Sequence, residues 1–419
     1  MEPIHVFLMD MTWDDNTSGV DRYLEMLTEG LRARPEICVH RLQLLSSQSQ
    51  LFVRRKTFPD GGTFTQVPLP RFMSEMLEKN YWSTQYNTQV YRLVRDLFDG
   101  KRRCILHLHT LNLIDLAVYI RDRHPDFRIL THLHCIPWKA LYNHDRRRFN
   151  QLYAKAYLHP SFHPEQDRKA FIRQESEWRA YQQADAIICV TACASNFLQT
   201  WMGRKNGIYV IPNGAKDLAD GLRRDYRKPA SETFHCLYVG VLSESKGITY
   251  IMETLQKVAR KGYRTQLTAC GRCTPALQAH LKRKYPDATV DLRGLVEYET
   301  LQDLYRTSDI GIIASLQEQS SYVAIEMMMF GLPVVTTAVD GLDEMFEDGV
   351  SGLKVDTRFS PVRGLSVNTD RMAEKIIDLI QSETLRKAIG SGGRQRYASA
   401  FTLERMTEET LKVYDDLTN

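Results

Sequence analysis

No stretch of this 419-residue sequence approaches the roughly 20 consecutive apolar residues that a membrane span requires. The opening apolar run, Ile4 to Met9, stops at Asp10, far short of a secretory signal with its cleavage site. Both absences lead to the expectation of a cytoplasmic protein. No G-x-G-x-x-G follows any apolar run, which argues against a dinucleotide oxidoreductase. No two aspartates stand as D-x-D, so no metal held by such a carboxylate pair is expected. Eight cysteines without a secretion signal read as reduced thiols rather than a disulfide framework. Cys270 and Cys273 form a lone CxxC, with Cys189 and Cys193 as a CxxxC far upstream. Lacking a thioredoxin-like context, the CxxC reads most simply as a strand end turning into a helix. A strong charge bias is missing too: net charge +4 is too mild for a nucleic-acid partner.

The chain does have enough length for two domains of roughly 200 residues each, with 43% hydrophobic residues, the composition of a folded protein. Short Val- and Ile-rich runs alternate with amphipathic stretches, the pattern of βαβ units. Strands are predicted at Ile4 to Met9, Cys38 to Leu45, Cys104 to His109, Arg128 to His134, Ala186 to Thr191 and Ile208 to Pro212. Helices are predicted at Val20 to Arg32, Asn112 to Arg123 and Asp167 to Gln183, and Ser46 to Pro70 reads as a long loop. The charged, aperiodic segment Lys216 to Thr233 reads as a linker. Alternation then resumes, with strands at Phe234 to Gly240, Arg264 to Gly271, Ala288 to Gly294, Ile310 to Ser315 and Pro333 to Thr337. Fully apolar strands imply parallel sheets covered on both faces, hence an α/β protein of two doubly wound, Rossmann-like domains, residues 1–215 and 232–400. Ligands of such sheets bind at the carboxyl ends of the strands. Basic runs at Arg54 to Lys56, Lys101 to Arg103 and Arg146 to Arg148 read as solvated faces, with an anionic membrane surface or an acidic acceptor as the alternative.

The densest chemistry lies in Glu318–Gln319–Ser320–Ser321–Tyr322–Val323–Ala324–Ile325–Glu326, followed by Gly331–Leu332–Pro333–Val334–Val335. A helix beginning near Ser320 leaves Glu318 in the loop above a strand and Glu326 within the first two turns. The backbone N–H groups of Gln319, Ser320 and Ser321 then face a ligand. Carboxylates accept bonds from sugar hydroxyls, and helix-start amides meet phosphate oxygens, so the arrangement suits a ligand carrying both.

This spacing resembles the E-x7-E region of the retaining glycosyltransferases of family 4, which have the GT-B fold of two Rossmann-like domains facing across a cleft. The resemblance extends through Val239 to Gly247, Arg293 to Ser315 and Asp340 to Gly352. It implies transfer of a sugar from a nucleotide-diphosphate sugar, the co-substrate in place of any cofactor, to a glycan, lipid-linked glycan or small-molecule acceptor. Glu326 then holds the nucleotide ribose and Glu318 touches the donor sugar. Gly19 is the remaining glycine of the family's phosphate-approaching turn, His134 matches the histidine near the reacting sugar, and Ile211–Pro212–Asn213–Gly214 matches the family's close of the first domain. Residues 401–419 match the helix that crosses back to the first domain. Lys246 is expected to meet the charge that develops on the leaving diphosphate. Relatives carry an arginine where this chain has Val241, and Arg272 is the candidate substitute. His107, His109 and His132 resemble His134 in kind, and a metal reading for them needs a third ligand beside His132 and His134. A non-catalytic nucleotide-sugar binder and a GT-B epimerase stay open as alternatives, and a peripheral contact with the inner membrane face through the basic runs stays open beside a purely cytoplasmic location.

Overall fold

The computed structural model of the chain describes residues 2–11, 19–46, 52–68, 84–136, 177–221, 224–226, 233–360 and 364–419. Two compact units emerge. Among the described residues, unit 1 holds those up to His134, 177–212 and Leu403–Asn419, and unit 2 holds Cys135, Ile136 and those within Asn213–Thr402.

Unit 1 is built on an eight-stranded sheet. Its strands are β1 (Ile4–Met11), β2 (Ile37–Ser46), β3 (Arg54–Thr57), β4 (Thr63–Pro68), β5 (Cys104–Leu108), β6 (Arg128–Leu133), β7 (Ala186–Cys189) and β8 (Ile208–Val210). They lie in the order β3-β4-β2-β1-β5-β6-β7-β8, parallel throughout except for the β3–β4 pair. The central strands are largely apolar and buried, and β5 is buried along its whole length even though it carries His107. Helix Gly19–Arg32 buries Tyr23, Leu24, Leu27 and Leu31, the spacing of one helical face. Against it lies the last helix, Leu403–Thr418, close enough that a Cβ on Gly30 would fall 2.0 Å from Thr407 Oγ1. Glycine is what lets these two helices touch.

Unit 2 carries β9 (Phe234–Val239), β10 (Thr265–Cys270), β11 (Thr289–Gly294), β12 (Ile310–Ile313), β13 (Val334–Thr337) and β14 (Leu353–Val355). All are parallel, in the order β11-β10-β9-β12-β13-β14, which is the doubly wound dinucleotide-fold arrangement. A separate antiparallel pair, β15 (Thr357–Ser360) and β16 (Gly364–Val367), follows. Helix Ile248–Arg260 buries Ile248, Ile251, Met252, Leu255 and Val258 on one face and ends on Lys257 and Arg260, which complement its dipole.

Several elements differ from the sequence reading. The segment expected to be a long loop contains the β3–β4 hairpin. β3 is an edge strand of four exposed residues, and its Arg54, Arg55 and Lys56 blunt an edge that would otherwise offer unpaired backbone. Of the other basic runs, Arg103 donates to Thr418 Oγ1 at 3.1 Å, and Arg146 to Arg148 lie outside the described residues. The helix expected at Asp167 to Gln183 lies outside them as far as 176, and 177–183 are helical. The charged segment after Pro212 packs on unit 2 where it is described. Asp217 pairs with Arg394, Arg224 donates to the carbonyls of Tyr305, Arg306 and Ser308, and Tyr226 Oη donates to Gly331 O at 3.0 Å.

Candidate active site

In unit 2 the strand order reverses between β9 and β12, and the loops leaving these strands form the crevice where doubly wound sheets hold ligands. Residues Gly240 to Gly247 follow β9. Leu242 N donates to Arg272 O, and Leu316 N donates to Ser245 O, both at 2.9 Å, so the loop is pinned on two sides. Two glycines make this contact possible. A Cβ on Gly271 (φ +141) would sit 1.8 Å from Gly240 O, and one on Gly247 (φ +78) 2.0 Å from Ala314 O. The CxxC is therefore a strand end: Cys270 is buried, and Gly271 admits the neighbouring loop.

The pinned loop delivers Lys246, whose Nζ lies 2.5 Å from Glu318 Oε2. Glu318 is fixed through its own carbonyl, which accepts from Gly341 N at 2.9 Å. Gly341 is the third close approach, with a built Cβ only 1.4 Å from Gln319 O. The helix expected near Ser320 begins at Tyr322, two residues later, so its first N–H groups belong to Tyr322 and the residues after it rather than to Gln319, Ser320 and Ser321. Ser321 is its cap, accepting from Ala324 N at 3.3 Å. Ser320 lies one residue outside. Its Oγ accepts from Asn213 N at 3.3 Å and its carbonyl from Asn213 Nδ2 at 3.1 Å. Asn213, which the sequence marks only as part of the Ile211–Gly214 match, thus braces the approach to the helix.

Glu326 falls in the second turn as expected. It is buried, and its two oxygens accept from Tyr298 Oη at 3.0 Å and Tyr305 Oη at 2.7 Å. Burial, then the neighbouring Glu326 charge, pushes the Tyr305 hydroxyl far up and keeps it a donor. The two tyrosines are site residues that sequence reasoning missed. They stand on helix Tyr298–Thr307, and nothing in the E-x7-E pattern points to them.

In unit 1, β5 and β6 lay four imidazoles on one face of the sheet: His107 and His109 from one strand, His132 and His134 from the other. Ring centroids are 4.3 Å apart for His107–His109 and 4.2 Å for His132–His134. His134 is half-buried just past β6, with Nε2 3.1 Å from His109 Nδ1. His107 Nδ1 meets Tyr414 Oη of the last helix at 2.8 Å, and Tyr23 packs on His132 at 4.5 Å. Both ring nitrogens of His132, and Nε2 of His107 and of His109, find no hydrogen-bond partner among the described residues. Burial drives these rings toward the neutral form. His107 is pushed down to about 3, and His109 and His132 also fall well below the ordinary histidine value.

The sequence matches the family described as Glycosyltransferase Family 4 over residues 17–217 and Glycosyl transferases group 1 over residues 233–382. The chain belongs to the group 1, family 4-like glycosyltransferases. It is 25% identical over 240 residues to an uncharacterized glycosyltransferase of Methanocaldococcus jannaschii, a match covering 57% of this chain and 62% of that protein. The chain thus spans less than two thirds of that relative's length. Among solved structures it resembles a sucrose-phosphate synthase from Thermosynechococcus elongatus (TM-score 0.73, 19% identity, 99% of each chain). It also resembles Anabaena HepE in complex with UDP-glucose (TM-score 0.63, 14% identity, 98% of this chain and 99% of that one). These likenesses establish the GT-B fold of two Rossmann-like domains.

Val241 stands where the resemblance leads one to expect arginine, and it is 55% exposed. Arg272 is exposed beside it, since the Leu242 N to Arg272 O bond joins the two loops. Gly19 opens the first helix of unit 1, and no described atom lies within 4 Å of a Cβ built there. Glu326→Ala is expected to weaken donor binding by about 1.5–3 kcal/mol, the range for hydrogen bonds to a charged group. It also strands the buried Tyr305 hydroxyl and lowers stability by about 1–3 kcal/mol. Calorimetric titration with donor and a donor-free melt separate the two effects, and unchanged affinity in a folded variant removes Glu326 from the site.

Proposed function

We propose that this chain transfers a sugar from a nucleotide-diphosphate sugar to a hydroxyl of a glycan or lipid-linked acceptor, with retention and without a metal on the diphosphate. The observation that carries the reading is the Lys246–Glu318 contact in the crevice between β9 and β12. An ammonium and a carboxylate held this close can be engaged together by one donor, Lys246 by the diphosphate and Glu318 by hydroxyls of the sugar. Breaking the bond from sugar C1 to the phosphate oxygen leaves negative charge on the diphosphate. Lys246 and the start of helix Tyr322–Met329 are preorganised to receive it. Ser321 holds that helix start, Gln319 and Ser320 set its approach, and Glu326 takes the ribose. Retention is carried by the family resemblance, and the binding of UDP-glucose by HepE supports the donor class. His134, at the carboxyl end of β6, is assigned to the reacting sugar. For a lipid-linked acceptor, the exposed strand β3 with Arg54 to Lys56 is the part of unit 1 that would meet an anionic surface.

A non-catalytic nucleotide-sugar binder is the second reading, and Val241 is the observation that favours it. A thermal-shift screen across sugar nucleotides identifies the donor, since a ligand at about 100 times its Kd stabilises by about 2.7 kcal/mol. Product formation with that donor then decides between the readings, and the anomeric configuration of the product decides retention. Brief treatment with EDTA is expected to leave turnover unchanged. Loss of turnover restored by Mn²⁺ or Mg²⁺ would establish a metal clamp on the diphosphate instead.

A further inference from the structure

At the amino ends of β1 and β2, away from the strand ends that bind ligands, three side chains of unit 1 converge. His5 and Cys38 face one another in the parallel register, and His40 follows Cys38 by two residues, so all three project from one face of the sheet. His5 Nδ1 lies 3.1 Å from His40 Nε2, and Cys38 Sγ lies 3.5 Å from the same nitrogen. The other nitrogen of His40 meets Thr63 Oγ1 at 3.0 Å. Whichever tautomer His40 adopts, its Nε2 offers either one lone pair or one N–H, yet it faces two partners. A cation at the centre would take a lone pair from each of the three atoms at once.

We propose that His5, Cys38 and His40 form a zinc site that ties β1 to β2, independent of the sugar-transfer chemistry. Two imidazoles and a thiolate are the donor set zinc favours. With Zn–N near 2.0–2.1 Å and Zn–S near 2.3 Å, tetrahedral edges come to about 3.4 Å for N···N and about 3.6 Å for N···S. The observed 3.1 and 3.5 Å are close to those edges before any ion is bound. The Thr63 hydroxyl on His40 Nδ1 supplies the outer contact that orients a ligating imidazole, and the Phe7 ring stacks on His40 at 4.6 Å. Binding exchanges the Cys38 thiol proton, released to solvent, for a sulfur–zinc bond. Water takes the fourth position, and the half-buried side of His5 is the route of entry.

Elemental analysis of the full chain, purified with reductant and without chelator, is expected to find about one zinc per chain. Replacement by Co²⁺ should give a thiolate-to-cobalt charge-transfer band and the intense visible bands of tetrahedral cobalt. Cys38→Ser and His5→Gln should each lose metal and band, while Cys193→Ser keeps both. Far-UV circular dichroism confirms that the variants fold. Should Cys38→Ser fail to fold, wild-type chain stripped by chelation and reloaded with Co²⁺ reads the same thiolate band. Zinc retained in both ligand variants, or wild-type chain that neither carries zinc nor develops the cobalt band, overturns the proposal.

Discussion

Lys246→Ala is expected to lower transfer by about 100-fold or more, the scale for removing one preorganised group from a developing anion. The magnitude follows from what surrounds the lysine. Val241 supplies no charge where the family resemblance leads one to expect a second cation, so the proposed reading puts the charge of the leaving diphosphate on Lys246. Its backbone is held too firmly for a neighbour to slide into its place: Gly247 packs on the carbonyl of Ala314, and Leu316 bonds back to Ser245. The loss should fall mainly on kcat, because the charge that Lys246 meets is greatest after the bond to C1 has broken. Arg272→Ala should cost at least about tenfold if that exposed arginine reaches the phosphates from the adjoining loop. Wild-type turnover in Lys246→Ala sinks the proposed clamp, and wild-type turnover in Arg272→Ala removes only the substitute. Removing Lys246 also leaves Glu318 without its cation, so donor affinity is to be measured beside turnover.

Where the sequence could be read and where it could not follows from the physics of each element. Strands β1, β5, β9 and β12 announce themselves because strands buried in the middle of a sheet demand mostly apolar runs, even where a histidine interrupts β1, β5 and β9. Strand β3 could not do so, since four exposed residues at a sheet edge carry no apolar pattern, and β15 is nearly as exposed. The E-x7-E spacing was legible because both glutamates belong to one loop and helix. The partners that fix them, Lys246 for Glu318 and the two tyrosines for Glu326, come from other βα units, and only the packed sheet brings them near. Lys246 was found through family resemblance. Tyr298 and Tyr305 look like ordinary members of an amphipathic helix. His5, Cys38 and His40 are quieter still, because their meeting depends on the register of β1 with β2, which no spacing within one strand encodes. The four-histidine cluster was half legible. Alternation put His132 and His134 on one face, and the strand neighbours His107 and His109 completed the set.

That cluster is expected to make unit 1 acid-sensitive. In the fold these imidazoles are neutral, His107 with a pKa near 3, whereas an unfolded histidine titrates near 6.5. The sign follows directly. Above about pH 6.5 both states are neutral and stability is full; as pH falls below that value the unfolded chain takes up protons that the fold refuses, so stability drops. Each such histidine contributes about 1.4 kcal/mol per pH unit, so by pH 5 one costs about 2 kcal/mol and two about 4. Urea unfolding of unit 1 at several pH values reads this slope. His132→Phe isolates the cluster from every carboxylate that also titrates: it keeps a ring under Tyr23, deletes two nitrogens that have no hydrogen bond, and removes one proton from the linkage. Its stability should fall by about 2 kcal/mol less than that of the wild type between pH 7 and pH 5. The added ring atom can shift stability at neutral pH in either direction, which leaves the comparison of slopes intact. Parallel pH profiles for the two proteins would mean that His132 is protonated in the fold or hydrated there, and that burial of the cluster does not set the acid limit of this unit.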